Sequence, residues 1–151
     1  IALDTLSRKD MWAAGYDFGH GTGHGVGSNL CVHEGPQQIR KNLNDASQTA
    51  FEPGMTITDE PGIYVEGRFG VRIENVLLCR ADDETAFGKF CGFEVLTLCP
   101  IDTDPIDTSL LTKEETEWLN SYHQTVYNRL SPLLTTDECE WLRSVTAPIT
   151  L

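Results

Sequence analysis

MTITDEPGIYV at residues 55–65 and FGVRIENVLLC at residues 69–79 decide the fold. Both runs are rich in β-branched residues, and Glu66-Gly67-Arg68 between them suits a tight turn, so they predict two antiparallel strands of a hairpin. Glu60 and Glu74 are equidistant from Gly67 and would lie opposite one another in a hairpin with that centre. Like charges directly across a ladder destabilise it unless something neutralises them, and a divalent cation between two carboxylates would do so. The competing reading is a pair of glutamates on a solvated face, with Pro61-Gly62 shifting the register. Arg72 stands two residues before Glu74, hence on its face, where it can orient or screen the carboxylate. Asp59 should point the other way and is read as structural.

Upstream of the hairpin, residues 3–14 carry apolar side chains at 3, 6, 11 and 12 and predict a helix ending at Gly15. Gly19 to Gly27 then places glycine at every odd position, five in nine residues, which argues for extended backbone rather than helix. Three of the four histidines, His20, His24 and His33, fall within or just after this segment. His20 and His24 are four apart, but Gly21-Thr22-Gly23 between them supplies neither the helix nor the glutamate of an H-E-x-x-H zinc motif. On one face of a strand that spacing spans roughly 13 Å, too far for one ion, leaving one ring to bind metal while the other contacts substrate. The stretch from Asn29 to Phe51 has no clear period and predicts loop with short strands.

Downstream, Phe93 to Leu98 predicts a further strand. Thr112 with Glu115 forms a capping-box signature ahead of a helix bearing Trp118, Leu119, Tyr122, Val126 and Leu130, ended by Pro132. Thr135 with Glu138 repeats the signature for a last helix running to about Val145. Trp118, Tyr122 and Trp141 form an apolar stripe that is either core or a face for a second chain in a homodimer. The class is α+β, an antiparallel sheet with flanking helices and a C-terminal helical tail.

The 151 residues suit one core, and a 40 % apolar share is ample for burying it. A formal net charge of −12 would repel a phosphate backbone, so nucleic acid is excluded as a partner, whereas divalent cations and peptides are not. No stretch approaches the roughly 20 apolar residues of a membrane helix. The five cysteines are odd in number and never spaced as C-x-x-C, which predicts buried free thiols and a cytoplasmic setting.

Taken together, His20-Gly-Thr-Gly-His24-Gly-Val-Gly27, Val-His33-Glu-Gly-Pro36, Thr58-Asp-Glu60-Pro-Gly62 and Val-Arg72-Ile-Glu74-Asn75 resemble, in order and spacing, the metallopeptidases of the pita-bread fold, and within them aminopeptidase P. The stretches Leu96 to Pro100 and Leu111 to His123 resemble the end of the cytosolic eukaryotic form, so the likeness runs from about Ile1 to Val145. It implies that His24 and Glu60 ligate one metal, that Glu74 bridges two, and that His20 and His33 line the substrate pocket, His33 steadying the scissile carbonyl or developing oxyanion. It also implies that Arg72 supports the bridging carboxylate and that Glu60 takes and returns the proton. The implied cofactor is a pair of divalent ions, manganese first and zinc or cobalt as alternatives, and the implied substrates are peptides beginning Xaa-Pro.

The family's site takes two further aspartates from an upstream strand. Asp4, Asp10 and Asp17 lie outside its D-x-G context. The expectation is therefore the C-terminal half of a catalytic domain, with sheet and metal motifs in about 1–100 and a helical tail in about 101–151, that alone holds metal weakly or not at all and has little peptidase activity. A prolidase-like Xaa-Pro dipeptidase and a non-catalytic binding or dimerisation module of the same fold are the alternatives.

Overall fold

The computed structural model describes residues 1–29, 31–42 and 48–150. Part of the stretch expected to be loop with short strands, at 30 and 43–47, lies outside the described residues. Where the length suggests one core, the chain divides into two compact units, Ile1–Thr97 and Leu98–Leu151. Their apolar cores are separate sets, Phe18, Ile39, Ile57 and Cys79 in the first and Leu119, Tyr122, Val126 and Leu142 in the second.

The first unit opens with helix α1, Ala2–Ala13, and Gly15 just beyond it takes a φ of +81°, a conformation that glycine adopts without strain. Arg8 on α1 is fully buried and holds the next segment in place. Its Nε donates to Asp4 at 2.8 Å, one terminal nitrogen to Asp17 and to the Phe18 carbonyl at 2.6 Å each, and the other to the His20 carbonyl at 2.7 Å. The guanidinium also lies 3.6 Å from the centre of the Phe18 ring. Asp4 in turn accepts the Thr22 hydroxyl at 2.7 Å, so one buried ion pair fixes residues 17–22. Both aspartates are thereby committed to structure.

The glycine-rich segment is extended, as its composition requires. Strand β1, Gly23–His24, pairs with β2, Gln38–Ile39, and Gly25 bridges to Ile57 on its other side. A Cβ on Gly23 would stand 1.9 Å from the Thr58 carbonyl oxygen, so only glycine allows this approach.

The two decisive runs pair antiparallel about Gly67, which sits at the turn with φ +69°. Each is broken, however, giving β3 (Thr56–Asp59), β4 (Gly62–Val65), β5 (Phe69–Arg72) and β6 (Asn75–Thr85). Asp59 pairs with Asn75 and Gly62 with Arg72, so one register continues across the interruption, in which Glu60 and Glu74 face one another. Pro61 brings no N–H to a ladder there, and side chains rather than backbone occupy the gap.

Strand β6 runs on through Arg80-Ala81-Asp82-Asp83-Glu84 and pairs with β7, Gly88–Val95. The expected strand at Phe93 to Leu98 therefore starts earlier and ends earlier. Charged residues hid this extension, because from Arg80 on β6 is exposed and backbone pairing, not burial, forms it. The expectation of buried thiols also needs correcting: all five cysteines are free, but Cys31, Cys91 and Cys99 are exposed and Cys79 alone is buried.

The second unit holds α2, Lys113–Leu130, and α3, Thr136–Val145, each opened by a complete capping box, Thr112 with Glu115 and Thr135 with Glu138. Of the apolar stripe, only Tyr122 is core. Trp118 and Trp141 are exposed, Trp118 stacking at 5.7 Å on the outer side of the Tyr122 ring.

His123 is fully buried, its Nε2 accepting the Ile101 N–H at 3.1 Å, and burial lowers its pKa below the ordinary histidine value. The unfolded chain thus binds a proton that the folded one refuses, so stability is complete above about pH 6.5 and falls as the pH drops below it. Urea unfolding followed by tryptophan emission should show the midpoint falling between pH 7.5 and 5.5. The drop should shrink in His123→Gln, and equal drops in both proteins would remove His123 as its source.

Candidate metal centre

Three potential ligands converge where the ladder is broken: one ligand atom each from His24, Glu60 and Glu74, all within 4.8 Å of one another. The end of β1 supplies His24, and the gap between β3 and β4 and that between β5 and β6 supply the two glutamates. Backbone bonds fix the first two. The Glu60 N–H donates to the Thr22 carbonyl at 2.8 Å, and the His24 N–H donates to the Thr58 hydroxyl at 3.0 Å. That hydroxyl donates onward to Glu60 Oε1 at 3.1 Å. Thr58 is buried and ties both ligands to β3, a role the sequence showed only as part of a motif.

The His24 ring settles its own tautomer. Its Nδ1 is 3.0 Å from the Gly25 carbonyl, which only accepts, so Nδ1 carries the hydrogen. Nε2 faces Glu60 Oε1 at 3.0 Å, a contact that calls for a positive charge on or beside the two atoms. A proton on Nε2 or a divalent metal ion meets that need. A histidine whose other nitrogen donates to a backbone carbonyl is the usual posture of a metal ligand, and one imidazole with two carboxylates is a donor set suited to Mn²⁺, Zn²⁺ or Co²⁺. The residues present fit such an ion.

Arg72 reaches both glutamates, 3.6 Å from Glu60 Oε2 and 3.7 Å from Glu74 Oε2. Its Nε donates to the Tyr64 hydroxyl at 2.8 Å, a bond that, with the neighbouring carboxylates, keeps the guanidinium firmly protonated. Tyr64 was not foreseen. Its hydroxyl lies 2.9 Å from His20 Nε2 and, with His20 Nδ1 turned to the Gly21 carbonyl at 2.7 Å, donates a hydrogen bond to the neutral ring. The chain Arg72–Tyr64–His20 thus joins the glutamates to the far wall.

One open cavity of about 370 Å³ is lined by His20, His24, His33, Arg40, Glu60 and Arg72 among others. The His33 ring stands 4.3 Å from that of His24. Glu60 is buried in the cavity wall, whereas Glu74 is exposed. Asp59 points away, into a separate cavity with Leu3, Leu6, Ile39, Leu77 and Phe93, where burial and then the charge of Glu60 push its carboxyl up.

An antiparallel scaffold that presents a histidine and two facing carboxylates in an open cleft has the makings of a metallohydrolase. The chain belongs to metallopeptidase family M24, which residues 2–81 match, and residues 89–149 match the C-terminal region of peptidase M24. It is similar to a probable Xaa-Pro aminopeptidase P of Coprinopsis cinerea, at 46 % identity over 87 % of this chain and 21 % of that protein. Aminopeptidase P1 of Arabidopsis thaliana is 45 % identical over 99 % of this chain and 23 % of its own length. The X-prolyl aminopeptidase of Caenorhabditis elegans, described as a cytosolic enzyme with a dinuclear active site, superposes with a TM-score of 0.85 at 40 % identity, over 98 % of this chain and 24 % of that one. The fold is accordingly the corresponding part of a pita-bread domain. The chain spans about a fifth of the length of the curated relatives it matches.

Proposed function

We propose that this chain is the C-terminal half of the catalytic domain of a cytoplasmic, manganese-dependent Xaa-Pro aminopeptidase, with zinc or cobalt as substitute metals. The observation that carries the reading is the convergence of one ligand atom each from His24, Glu60 and Glu74 within 4.8 Å of one another. His24 and Glu60 would hold one ion, and Glu74 would be shared with a second ion whose remaining ligands lie outside this chain. Bound there, the pair of ions supplies Lewis acidity and activates water at neutral pH.

The chain's own residues do the rest. Glu60 accepts the proton of the attacking water and returns it to the leaving nitrogen. His33, beside His24 in the same cavity, donates to the oxygen on which negative charge develops. Arg72 holds both carboxylates in place, and His20, fixed by Gly21 and Tyr64, forms the wall against which substrate lies. A bond before proline is a tertiary amide with no N–H, so recognition falls to the shape of this cleft rather than to a backbone hydrogen bond. The C. elegans neighbour, described as cytosolic and dinuclear, supports the compartment and the metal count.

Calorimetric Mn²⁺ titration of this chain should give one weak site that is lost in Glu74→Ala, and the native protein should release the first residue from Xaa-Pro-Xaa peptides. Two tight sites would mean that this chain supplies a complete dinuclear centre. Cleavage of Xaa-Pro dipeptides alone would identify a prolidase-like dipeptidase, and metal-filled but inactive native protein a binding module.

A further inference from the structure

Strand alternation places Cys79 and Cys91 together. Cys79 pairs with Phe93 and Ala81 with Cys91, so both cysteines project from one face of the β6–β7 ladder at diagonal positions. On that shared face the Cys91 thiol is a near neighbour of the buried Cys79 thiol. Cys31, Cys99 and Cys139 instead turn their sulfurs to the backbone carbonyls of His33, Pro100 and Ser131. Among the described residues, this is the pair in which one thiol faces another. The two differ in access, Cys79 being 1 % exposed and Cys91 open to solvent.

We propose that Cys79 and Cys91 are a modification site, a thiol pair that hydroperoxides convert to a reversible disulfide joining β6 to β7. Cys91, the accessible member, attacks the peroxide as its thiolate. The O–O bond breaks, the sulfur is oxidised by two electrons to a sulfenic acid, and the peroxide is reduced to water or an alcohol. The Cys79 sulfur then attacks the sulfenic sulfur, the S–O bond breaks, and the hydroxyl leaves with the Cys79 proton as water. Burial and then the neighbouring Cys91 thiol push the Cys79 thiol up, so it enters the exchange as a thiol. Thiol reductants reverse the bond. Cys79 lies on the strand that begins one residue after Glu74, and the disulfide would clamp that strand to its neighbour, which carries Cys91. It stands independently of the proposed peptidase activity.

Tryptic mapping tests it, because Cys79 falls in the fragment 73–80 and Cys91 in 90–113, which also holds Cys99. A Cys99→Ser chain should be treated with increasing hydrogen peroxide, its remaining thiols alkylated in denaturant, and its digest analysed by mass spectrometry. The expected product is the two fragments joined, two thiols per chain disappearing together, and dithiothreitol restoring both. In Cys91→Ser, whose substitution lies on the exposed strand, Cys79 should stay fully alkylatable at the same dose. The proposal fails if Cys79 stays reduced while Cys31 is oxidised, if Cys79 is lost equally in Cys91→Ser, or if the fragments join only between chains.

Discussion

Replacing Arg8 with methionine should cost the first unit about 3–5 kcal/mol, the range for removing one partner of a buried ion pair. Arg8 and Asp4 are 0 % and 1 % exposed, so no water replaces the lost donor, and Asp4 would be left buried with the Thr22 hydroxyl as its remaining side-chain partner. The carbonyls of Phe18 and His20 lose their donors in the same step, each a further desolvated acceptor. Because these bonds fix residues 17–22, the damage extends to the site: His20 comes loose, and the Thr22 carbonyl that receives the Glu60 N–H moves with it. Urea denaturation should show the loss, and calorimetric Mn²⁺ titration should show any metal site weakened as well. The double variant Arg8→Met with Asp4→Leu should recover much of the stability, since removing both charges leaves neither unpaired. A cost below about 1 kcal/mol for the single variant would mean that the network contributes little, as exposed pairs do.

That network also marks the limit of what the sequence discloses. The hairpin was legible because local signals agree: β-branched runs on both sides, a glycine at the turn, and a register that Gly67 alone defines. The helices of the second unit were legible for the same reason, their capping boxes lying four residues from end to end. The meeting of Glu60 with Glu74 followed from that register, and the histidine cluster from its glycines. Hidden were the features made by distant residues. Nothing near Arg8 announces that it will bond the carbonyl of His20, and Tyr64, exposed on its strand, reads as an ordinary sheet residue until Arg72 and His20 close on its hydroxyl. The break between β3 and β4 was partly signalled by Pro61, yet its consequence, a gap filled by side chains, needs the partner strand. The charged length of β6 argued against a strand, and Trp118 and Trp141 argued for burial, because local composition cannot say which face a neighbour covers.

Glu60→Gln should lower kcat of the native protein on an Xaa-Pro-Xaa peptide by about 10²- to 10⁴-fold, the usual scale for a positioned general base. Glutamine keeps the size of the side chain and the acceptor oxygen for the Thr58 hydroxyl, so the fold should survive; what it removes is the charge facing His24 Nε2 at 3.0 Å and the ability to take a proton. Two comparisons separate these losses. In Glu74→Gln the exposed carboxylate goes while Glu60 remains, so metal affinity should fall and added Mn²⁺ should restore part of the rate. For His33→Ala the metal stoichiometry should stay intact while kcat falls by about 10²- to 10³-fold, as expected when one donor to a developing oxyanion is removed. Glu60→Gln alone should resist rescue by metal, because excess ion replaces a weakened ligand but not a base. Full recovery of that variant with added Mn²⁺ would reduce Glu60 to a ligand, and the proton would then have to pass through another group at the cavity wall.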